Sequence, residues 1–231
     1  MRAVVLGAGY GTRLGPLTAA TPKILVEVAG EPLLARQLRY LAGQGVTEVA
    51  LNVHHLRERV HEYVRSAPLP VPVRLYDEPE LLGTAGALLP MREQLLDEPF
   101  VLLYGDVVTD MDLRALLRAL RGTATLSYYV STVTEGKGLL ELDDTERVVA
   151  FAEKPERPRG AAAVNAGVYA LDPAILALVP ERGDFGYDVW PRLLAAGELY
   201  GCRVDAYVAD VGSPEVLRRV EDDVRRGALA W

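Results

Sequence analysis

The start of the chain combines a glycine-rich loop with two cations. The apolar run Val4–Leu6 leads into the segment G-A-G-Y-G-T-R-L (Gly7–Leu14), and the motif T-P-K, ending in Lys23, follows it. Glycine lets backbone N–H groups approach an anion closely, while arginine and lysine neutralise its charge. The segment is therefore predicted to bind phosphate groups, with Arg13 and Lys23 near one ligand.

The spacing of the glycines in the loop differs from that of the dinucleotide-binding fingerprint. That fingerprint needs a third glycine three residues after the second, at the opening of a helix. Thr12 occupies this position, and Pro16 and Pro22 are expected to delay the next helix. A nicotinamide-dependent dehydrogenase would also need an acidic residue at the end of the second strand, and Glu27 lies in the wrong context for that role. A long loop with two cations suits a triphosphate better, although a plain glycine-rich turn is the alternative.

Two aspartates are candidates for a metal site. Asp106 follows the apolar run Phe100–Tyr104 and one glycine, and Asp210 follows Ala206–Ala209. Taken alone, the first is equally well explained as a turn residue and the second better as a helix cap. Mg²⁺ is commonly held by one or two carboxylates together with substrate phosphates. Beside a phosphate loop, the pair therefore predicts a magnesium site.

Two later segments place polar groups at strand ends. Glu153 and Lys154 stand side by side in F-A-E-K-P, and Asn165 and Gly167 occur in N-A-G-V-Y. An exposed ion pair contributes little to stability, and an amide at the start of a strand is ordinary. Neither segment predicts a site by itself.

Alternating strands and helices must position these residues. Period-two and period-3.6 apolar patterns predict an α/β fold with a Rossmann-like, mostly parallel mixed sheet flanked by helices. Such sheets bind ligands beyond the carboxyl ends of their strands. The predicted strands are Ala3–Leu6, Glu48–Asn52, Val71–Tyr76, Phe100–Tyr104, Ala124–Tyr129, Gly138–Leu142, Val148–Glu153 and Val164–Leu171. The predicted helices are Leu33–Leu41, Leu56–Val64, Ala85–Leu96, Leu113–Leu120, Pro173–Val179 and Ser213–Arg226, and Glu153–Gly160 is predicted to be a loop.

Composition excludes several classes of protein. The chain has 231 residues, of which 50% are hydrophobic, and a net charge of −7, which argues against a general nucleic-acid binder. No apolar run is long enough to span a membrane, and the start lacks the features of a signal peptide. Cys202 is the only cysteine, so no internal disulfide can form. A cytoplasmic protein is expected.

The motifs resemble, in combination and in order, the sugar-1-phosphate nucleotidylyltransferase family. The resemblance runs from Met1 to about Arg226 through G-A-G-Y-G-T-R-L, T-P-K, L-G-T-A-G, G-D, E-K-P, N-A-G-V-Y and D-V-G-S-P. It implies an enzyme of class EC 2.7.7 that joins a nucleoside triphosphate to a sugar 1-phosphate and releases pyrophosphate, with Mg²⁺ as cofactor. It also implies one domain over 1–231, with 1–130 mainly nucleotide-binding, 131–205 mainly sugar-binding and 206–231 returning to the core.

The resemblance assigns a role to each matching residue. Arg13 would hold the β- and γ-phosphates, Lys23 the α-phosphate, and Asp106 and Asp210 the Mg²⁺. The nucleotide would lie against Leu6, Gly7, Ala8, Gly9, Gly11, Thr12, Gly83 and Thr84. The sugar phosphate would be bound by Glu153, Lys154, Asn165 and Gly167. The expected partners are small molecules, with no nucleic acid and no membrane, and the protein is expected to be a monomer or homodimer.

The base and the sugar are less clearly indicated. Glu78, five residues before Gly83, can only accept hydrogen bonds, whereas guanine presents two adjacent donors. The segment thus favours GTP and resembles mannose- and heptose-1-phosphate guanylyltransferases, while UTP and dTTP remain alternatives. A manno-configured hexose or heptose is expected from similarity alone. A non-catalytic regulatory subunit of the same fold is the alternative from another class, but it should have lost Arg13, Lys23 or a metal aspartate.

Overall fold

The computed structural model describes residues 1–155 and 160–229, so 156–159 of the predicted loop lie outside the described residues. Contacts within the chain divide it into two compact units. The first comprises Met1–Leu81, Leu103–Asp112 and the residues from Ala206 onward, and the second comprises Leu82–Leu102 and Leu113–Asp205. The chain re-enters the first unit at residue 206. The predicted division of roles within one domain stays a prediction.

The regular elements follow one another in strand–helix alternation, especially in the first half of the chain. The strands in the described residues are β1 Arg2–Leu6, β2 Glu27–Val28, β3 Glu31–Pro32, β4 Glu48–Val53, β5 Val73–Asp77, β6 Phe100–Tyr104, β7 Val107–Thr109, β8 Ala124–Ser131, β9 Leu139–Leu142, β10 Val148–Ala152, β11 Ala162–Leu171, β12 Leu199–Arg203 and β13 Val208–Asp210. The α-helices are α1 Leu17–Ala20, α2 Leu33–Gly43, α3 Arg57–Ser66, α4 Gly83–Gly86, α5 Arg92–Leu95, α6 Leu113–Arg118, α7 Trp190–Ala196 and α8 Pro214–Arg225. Among these residues no helix is long and apolar enough to cross a membrane.

Parallel strands organise the first unit. β1 pairs with β4 and β4 with β5, both in parallel, so that Leu6 lies opposite Asn52 and Val53 opposite Asp77. A separate antiparallel ribbon is formed by β7 and β13, with Asp210 opposite Val107. Its Val108 and Ala209 belong to a buried apolar cluster together with residues of the first loop and of α8.

The second unit contains a mixed set of strands. β8 pairs antiparallel with β11 and parallel with β12, and β9 pairs antiparallel with both β10 and β11. Tyr169, Phe185 and Trp190 pack together in its core, with the rings of Phe185 and Trp190 stacked at 4.7 Å. The parallel strands of the first unit and the mixed strands of the second confirm the predicted α/β class, and the solved structures reported below share it.

Helix formation follows the sequence where caps and apolar spacing agree. Apolar residues at helical spacing, such as Leu34, Leu38 and Leu41, are fully buried along α2. Ser213 caps α8 by accepting a hydrogen bond from the Val216 N–H, and Pro214 occupies the first helical position, as predicted.

Several predicted elements were wrong. The helix predicted over Ala85–Leu96 is two separate turns, α4 and α5, because Pro90 lacks an N–H and interrupts the helix. The helix predicted over Pro173–Val179 is a 3₁₀ helix, Pro173–Ala177. A short turn, α1, forms after Pro16, earlier than expected.

Other elements were not predicted from the sequence. β7, β12 and α7 are examples, and so is a π-helix over Phe185–Val189. The π-helix leads directly into α7, whose first residue is Trp190.

Candidate active site

The phosphate loop begins where Gly7 and Gly105 pack closely against other residues of the first unit. The Gly105 N–H donates to Leu6 O at 2.9 Å, and a side chain at Gly105 would overlap that oxygen. The Gly7 N–H donates to the side chain of Asn52 at 2.8 Å, and a Cβ at Gly7 would lie 2.8 Å from Leu51. Both glycines are therefore required by close packing at the strand ends.

The predicted nucleotide-binding residues Leu6 to Thr12 occupy the start of this loop. Gly11 has a φ of 65°, in the left-handed region that glycine adopts readily, and a 3₁₀ turn over Thr12–Leu14 follows. The Thr18 hydroxyl donates to Gly11 O at 3.0 Å, and Leu14 is buried. The loop is thus fixed at both ends and carries Arg13 outward.

The β7–β13 ribbon brings the two candidate metal ligands together. Asp106 precedes β7 and Asp210 ends β13, and the register places Asp210 opposite Val107. The Val211 N–H donates to Asp106 O at 2.8 Å. The fully buried Gln37 adds support, since its Nε2 donates to Val107 O at 3.0 Å and Tyr104 O at 3.4 Å, on either side of Asp106.

Each predicted phosphate-binding cation lies against one of these carboxylates. Lys23 Nζ is 2.5 Å from Asp106 Oδ2, and Arg13 Nη2 is 3.7 Å from Asp210 Oδ2. Gly212 makes room for the guanidinium, because a Cβ there would lie 2.5 Å from Arg13 Nη2. The structure therefore gathers Arg13, Lys23, Asp106 and Asp210 into one charged cluster within the first unit.

The environment of the cluster changes the pKa of Asp106. Burial, followed by the nearby negative charge of Asp210, raises the pKa of the Asp106 carboxyl group, while Lys23 opposes the increase. Two carboxylates held this close repel each other, so a bound cation relieves the repulsion as well as gaining oxygen ligands.

The donor set fits Mg²⁺ rather than a metal enclosed by protein. No group of three or more His, Cys, Asp or Glu residues with metal-binding geometry occurs within 1–155 and 160–229. Two carboxylates leave most coordination positions to water and substrate oxygens, which is the usual arrangement of Mg²⁺ at phosphate sites. Asp106 and Asp210 would hold the ion.

Divalent-ion binding is expected to weaken as the pH falls, beginning above the usual titration range of an aspartate. A protonated carboxyl group is a poor ligand, and the raised pKa of Asp106 moves its protonation to higher pH. Affinity for Mn²⁺, measured by EPR across a pH series, tests this. An affinity that stays constant down to a pH of about 4, near the ordinary aspartate value, would contradict it.

The predicted sugar-binding residues lie in the second unit, directly after β10 and within β11. Glu153 Oε1 is 3.4 Å from Lys154 Nζ, and Lys154 has a φ of 48°. A left-handed conformation is uncommon outside glycine and is often found at functional sites. The E-K-P motif therefore departs from regular strand geometry at Lys154.

Asn165 and Gly167 form an irregularity in β11 instead of a strand start. The pairing of β11 with β8 shifts register between Asn165 and Tyr169, and Gly167 has a φ of 72°. Asn165 stabilises this bulge, since its Oδ1 accepts from the Gly167 N–H at 3.1 Å and its Nδ2 donates to the Tyr169 hydroxyl at 2.7 Å. Bulges re-aim side chains, and many occur beside active sites.

Gly83 and Thr84, predicted to contact the nucleotide, pack against another segment of the second unit. Gly83 has a φ of 80°, and a side chain there would overlap Gly183 O. The Thr84 N–H and hydroxyl both donate to Asp184 Oδ1, at 2.9 and 3.0 Å. Packing alone explains the glycine, so a nucleotide contact at these two residues stays a prediction.

Glu78 is turned into the first unit. It is only 1% exposed, and its Oε1 accepts from Asn52 Nδ2 at 2.7 Å. Asn52 in turn accepts a hydrogen bond from the Gly7 N–H, so Glu78 supports the phosphate loop through Asn52. Direct contact with a base stays a prediction.

Sequence reasoning missed three supporting residues: Asn52, Gln37 and Asp184. Asn52 could have been found from the sequence, because it is a polar residue near the end of a mostly apolar strand. Asp106, which follows β6, has a similar position. Gln37 and Asp184 gave no such signal, since their partners are far away in the sequence.

Comparison with known proteins identifies the family. The family model described as nucleotidyl transferase matches residues 2–227. Mannose-1-phosphate guanylyltransferase 1 of Arabidopsis thaliana is 34% identical over 100% of this chain and 67% of its own length. The catalytic subunit beta of mannose-1-phosphate guanylyltransferase of Danio rerio is 33% identical over 93% of this chain and 62% of its own length. The chain therefore spans about two thirds of the length of these relatives.

Solved structures share the fold. HddC from Yersinia pseudotuberculosis, in a crystal structure with GMP-PN, has a TM-score of 0.84 and 26% identity, with 96% of this chain and 99% of that chain covered. A putative glucose-1-phosphate thymidylyltransferase from Bacillus anthracis has a TM-score of 0.84 at 21% identity, with coverage of 97% and 95%. The resemblance and the enzyme class predicted from the sequence are confirmed, and the chain belongs to the nucleotidyl transferase family.

Proposed function

We propose that this protein transfers the guanylyl group of GTP to a sugar 1-phosphate of manno-type, a hexose or a heptose, and releases pyrophosphate. The observation that carries this proposal is the cluster of Arg13, Lys23, Asp106 and Asp210 beside a glycine-rich loop. Two cations and two carboxylates in this arrangement suit a triphosphate with its magnesium ion.

The chain's own residues provide positioning and charge neutralisation. Arg13 binds the β- and γ-phosphates, whose charge grows as pyrophosphate leaves, and Lys23 binds the α-phosphate. The loop from Leu6 to Thr12 lines the nucleotide. A Mg²⁺ ion held by Asp106 and Asp210 would neutralise phosphate charge and orient the phosphate oxygens.

The acceptor needs little activation. A sugar 1-phosphate is already an anionic nucleophile at neutral pH, so an in-line attack on the α-phosphorus requires no general base. Lys154 binds the acceptor phosphate, and Glu153 and Asn165 bind sugar hydroxyls. The nearby Gly167 shapes the bulge that carries Asn165.

The choice of GTP and of a manno-type sugar rests on similarity and on one residue. The Arabidopsis and zebrafish relatives are named for mannose 1-phosphate and guanylyl transfer, and the HddC structure is titled as a complex with GMP-PN. Glu78 is the candidate for recognition of guanine. UTP- or dTTP-dependent transfer is the alternative.

A substrate panel tests the proposal. Five nucleoside triphosphates are each incubated with mannose, glucose and heptose 1-phosphates and Mg²⁺, and pyrophosphate release is measured. The highest kcat/KM is expected for GTP with a manno-type acceptor. A preference for UTP or dTTP would overturn the base assignment alone, whereas no turnover with any pair would favour a non-catalytic regulatory subunit.

The same preparation tests one prediction about the whole protein, its oligomeric state. We propose a cytoplasmic enzyme that is a monomer or a homodimer. Sedimentation velocity with and without GTP distinguishes these states, and a larger assembly would contradict the proposal.

Glu78→Gln is expected to narrow the preference for GTP over dTTP by about fivefold to a hundredfold in kcat/KM. The amide would direct an N–H at a donor of guanine, and a buried mismatch of this kind is costly. Competition assays with both nucleotides measure the ratio. Because Glu78 also supports Asn52, an equal loss for every nucleotide would assign it a structural role and remove its role in base selection.

Lys154→Ala is expected to raise the KM for sugar 1-phosphate about tenfold or more, with a smaller effect on the KM for GTP. The substitution removes a charge-assisted contact with the acceptor phosphate. Lys137→Ala, which changes a lysine outside the E-K-P motif, serves as the control. An increase confined to the KM for GTP would contradict the assignment.

A further inference from the structure

Gly186 lies directly against the carboxylate predicted to bind the sugar. A Cβ built on Gly186 would lie 2.6 Å from Glu153 Oε2, 3.1 Å from its Cδ and 3.2 Å from its Cγ. These are the three nearest atoms, and all belong to Glu153. The backbone of Gly186 is not in the left-handed region, so alanine is conformationally allowed there. The absence of a side chain at Gly186 therefore leaves space for the Glu153 carboxylate, and backbone freedom is not what the glycine provides.

The Glu153 carboxylate is also confined on its other sides. A Cβ at Gly138 would lie 3.4 Å from Glu153 Oε2, and Lys154 Nζ lies 3.4 Å from Oε1. The side chain of Glu153 is only 19% exposed. The carboxylate therefore stands between two glycines and a cation, and a new methyl group at Gly186 must displace it.

Hydrogen bonds and ring packing hold the segment that carries Gly186. Gly186 belongs to the π-helix Phe185–Val189, whose first N–H donates to Thr84 Oγ1 at 3.0 Å. The preceding Asp184 accepts two hydrogen bonds from Thr84, and its N–H donates to Asp188 Oδ2 at 2.7 Å. The buried rings of Phe185 and Trp190 stack immediately beyond. Glu153, a flexible side chain, is the partner that must move.

We propose that Gly186 is a specificity-determining residue for the sugar, because its missing side chain sets the position of the Glu153 carboxylate. The inference rests on the proposed function, in which Glu153 binds sugar hydroxyls. Asp184 acts as a positioning residue, since it fixes the start of the π-helix to α4, which contains Gly83 and Thr84. The part of the enzyme that selects the sugar therefore includes a residue with no side chain of its own.

Gly186→Ala, compared with Gly43→Ala, is the test. Gly43 lies in α2, and a Cβ there meets no atom within 4 Å. Gly186→Ala is expected to lower kcat/KM for the preferred sugar 1-phosphate about tenfold to a hundredfold, through the KM for that substrate. The KM for GTP and the melting temperature should change little, and Gly43→Ala should match the wild type. An unchanged KM for the sugar 1-phosphate would overturn the proposal.

A double-mutant cycle shows whether the effect passes through Glu153. In a Glu153→Ala background the methyl group at 186 has no carboxylate to displace, so Gly186→Ala should add almost nothing. Equal effects in both backgrounds would overturn the proposal. Should Gly186→Ala fail to fold because of the clash, the double variant E153A/G186A should fold, and its failure to do so would also overturn it.

The cycle separates this inference from the proposed function. If the wild type turns over substrate and Gly186→Ala has an unchanged KM for the sugar 1-phosphate, the inference about Gly186 is wrong and the proposed function still stands. If the wild type turns over no substrate pair, calorimetric titration with mannose 1-phosphate compares the same variants. Weaker binding by Gly186→Ala then supports the role of Gly186 without catalysis, and equal binding by wild type and variant overturns it.

Discussion

Asp106→Asn and Asp210→Asn are each expected to lower kcat by about a hundredfold or more, the scale of losing one pre-organised electrostatic element. Each substitution keeps the shape of the side chain and removes one anionic ligand of the proposed magnesium site. The β7–β13 ribbon that joins the two residues depends on backbone hydrogen bonds and should remain. Asp210→Asn also removes the charge that repels Asp106, so its melting temperature should not fall.

Steady-state kinetics across a Mg²⁺ titration measure this effect. Asp222→Asn is the matched control, because Asp222 lies on the surface of α8 with its side chain 62% exposed. The control should retain full activity and the same dependence on Mg²⁺. Full turnover of the wild type in excess chelator would contradict the metal assignment for both aspartates.

Arg13→Ala is expected to lower kcat by roughly a hundredfold to a thousandfold without unfolding the protein. The side chain is 67% exposed and supports no core, so the loss should be confined to chemistry. Negative charge on the leaving pyrophosphate grows in the transition state, and an interaction that strengthens there acts on kcat. Arg13→Lys should recover only part of the loss, because lysine cannot form the bidentate contacts of a guanidinium with phosphate.

Single-turnover kinetics with saturating GTP separate this effect from nucleotide binding. Arg226→Ala provides a control of matched exposure, at 70%, on the far end of α8. A variant of Arg13 that raised only the KM for sugar 1-phosphate would place the residue on the acceptor instead. A variant that unfolded at lower temperature than the control would show that Arg13 has a structural role.

Local chemistry explains why much of the first unit could be predicted from the sequence. Glycines in a loop after one apolar strand, and an aspartate shortly after another apolar strand, are local patterns that mark the carboxyl ends of strands in an α/β fold. The structure places Gly7 and Asp106 at such ends and adds Lys23 to them. The cap of α8 was equally local, and it formed as predicted.

What could not be predicted depends on contacts between distant segments. Nothing near Val107 or Val208 in the sequence indicates that they lie in one ribbon. Thr84 resembles a nucleotide-binding residue by motif, yet its polar groups contact Asp184, 100 residues away. Glu78 is a second example, because its side chain accepts a hydrogen bond from Asn52 in a neighbouring strand. Side-chain type was informative at these positions, but the partner was set by tertiary packing.

The short β7–β13 ribbon has a consequence for the order in which the protein becomes competent during synthesis. Besides the strand pairs, the Tyr207 N–H donates to Asp110 Oδ1, 97 residues away. A nascent chain that has emerged only as far as residue 205 contains Asp106 and Lys23, but it still lacks Asp210. Closing so long a loop carries an entropic cost that the three-residue strands must offset with help from the apolar cluster around Val108 and Ala209. Emergence of residues 206–210, and not folding of the phosphate loop, is therefore the step that completes the proposed metal-binding pair.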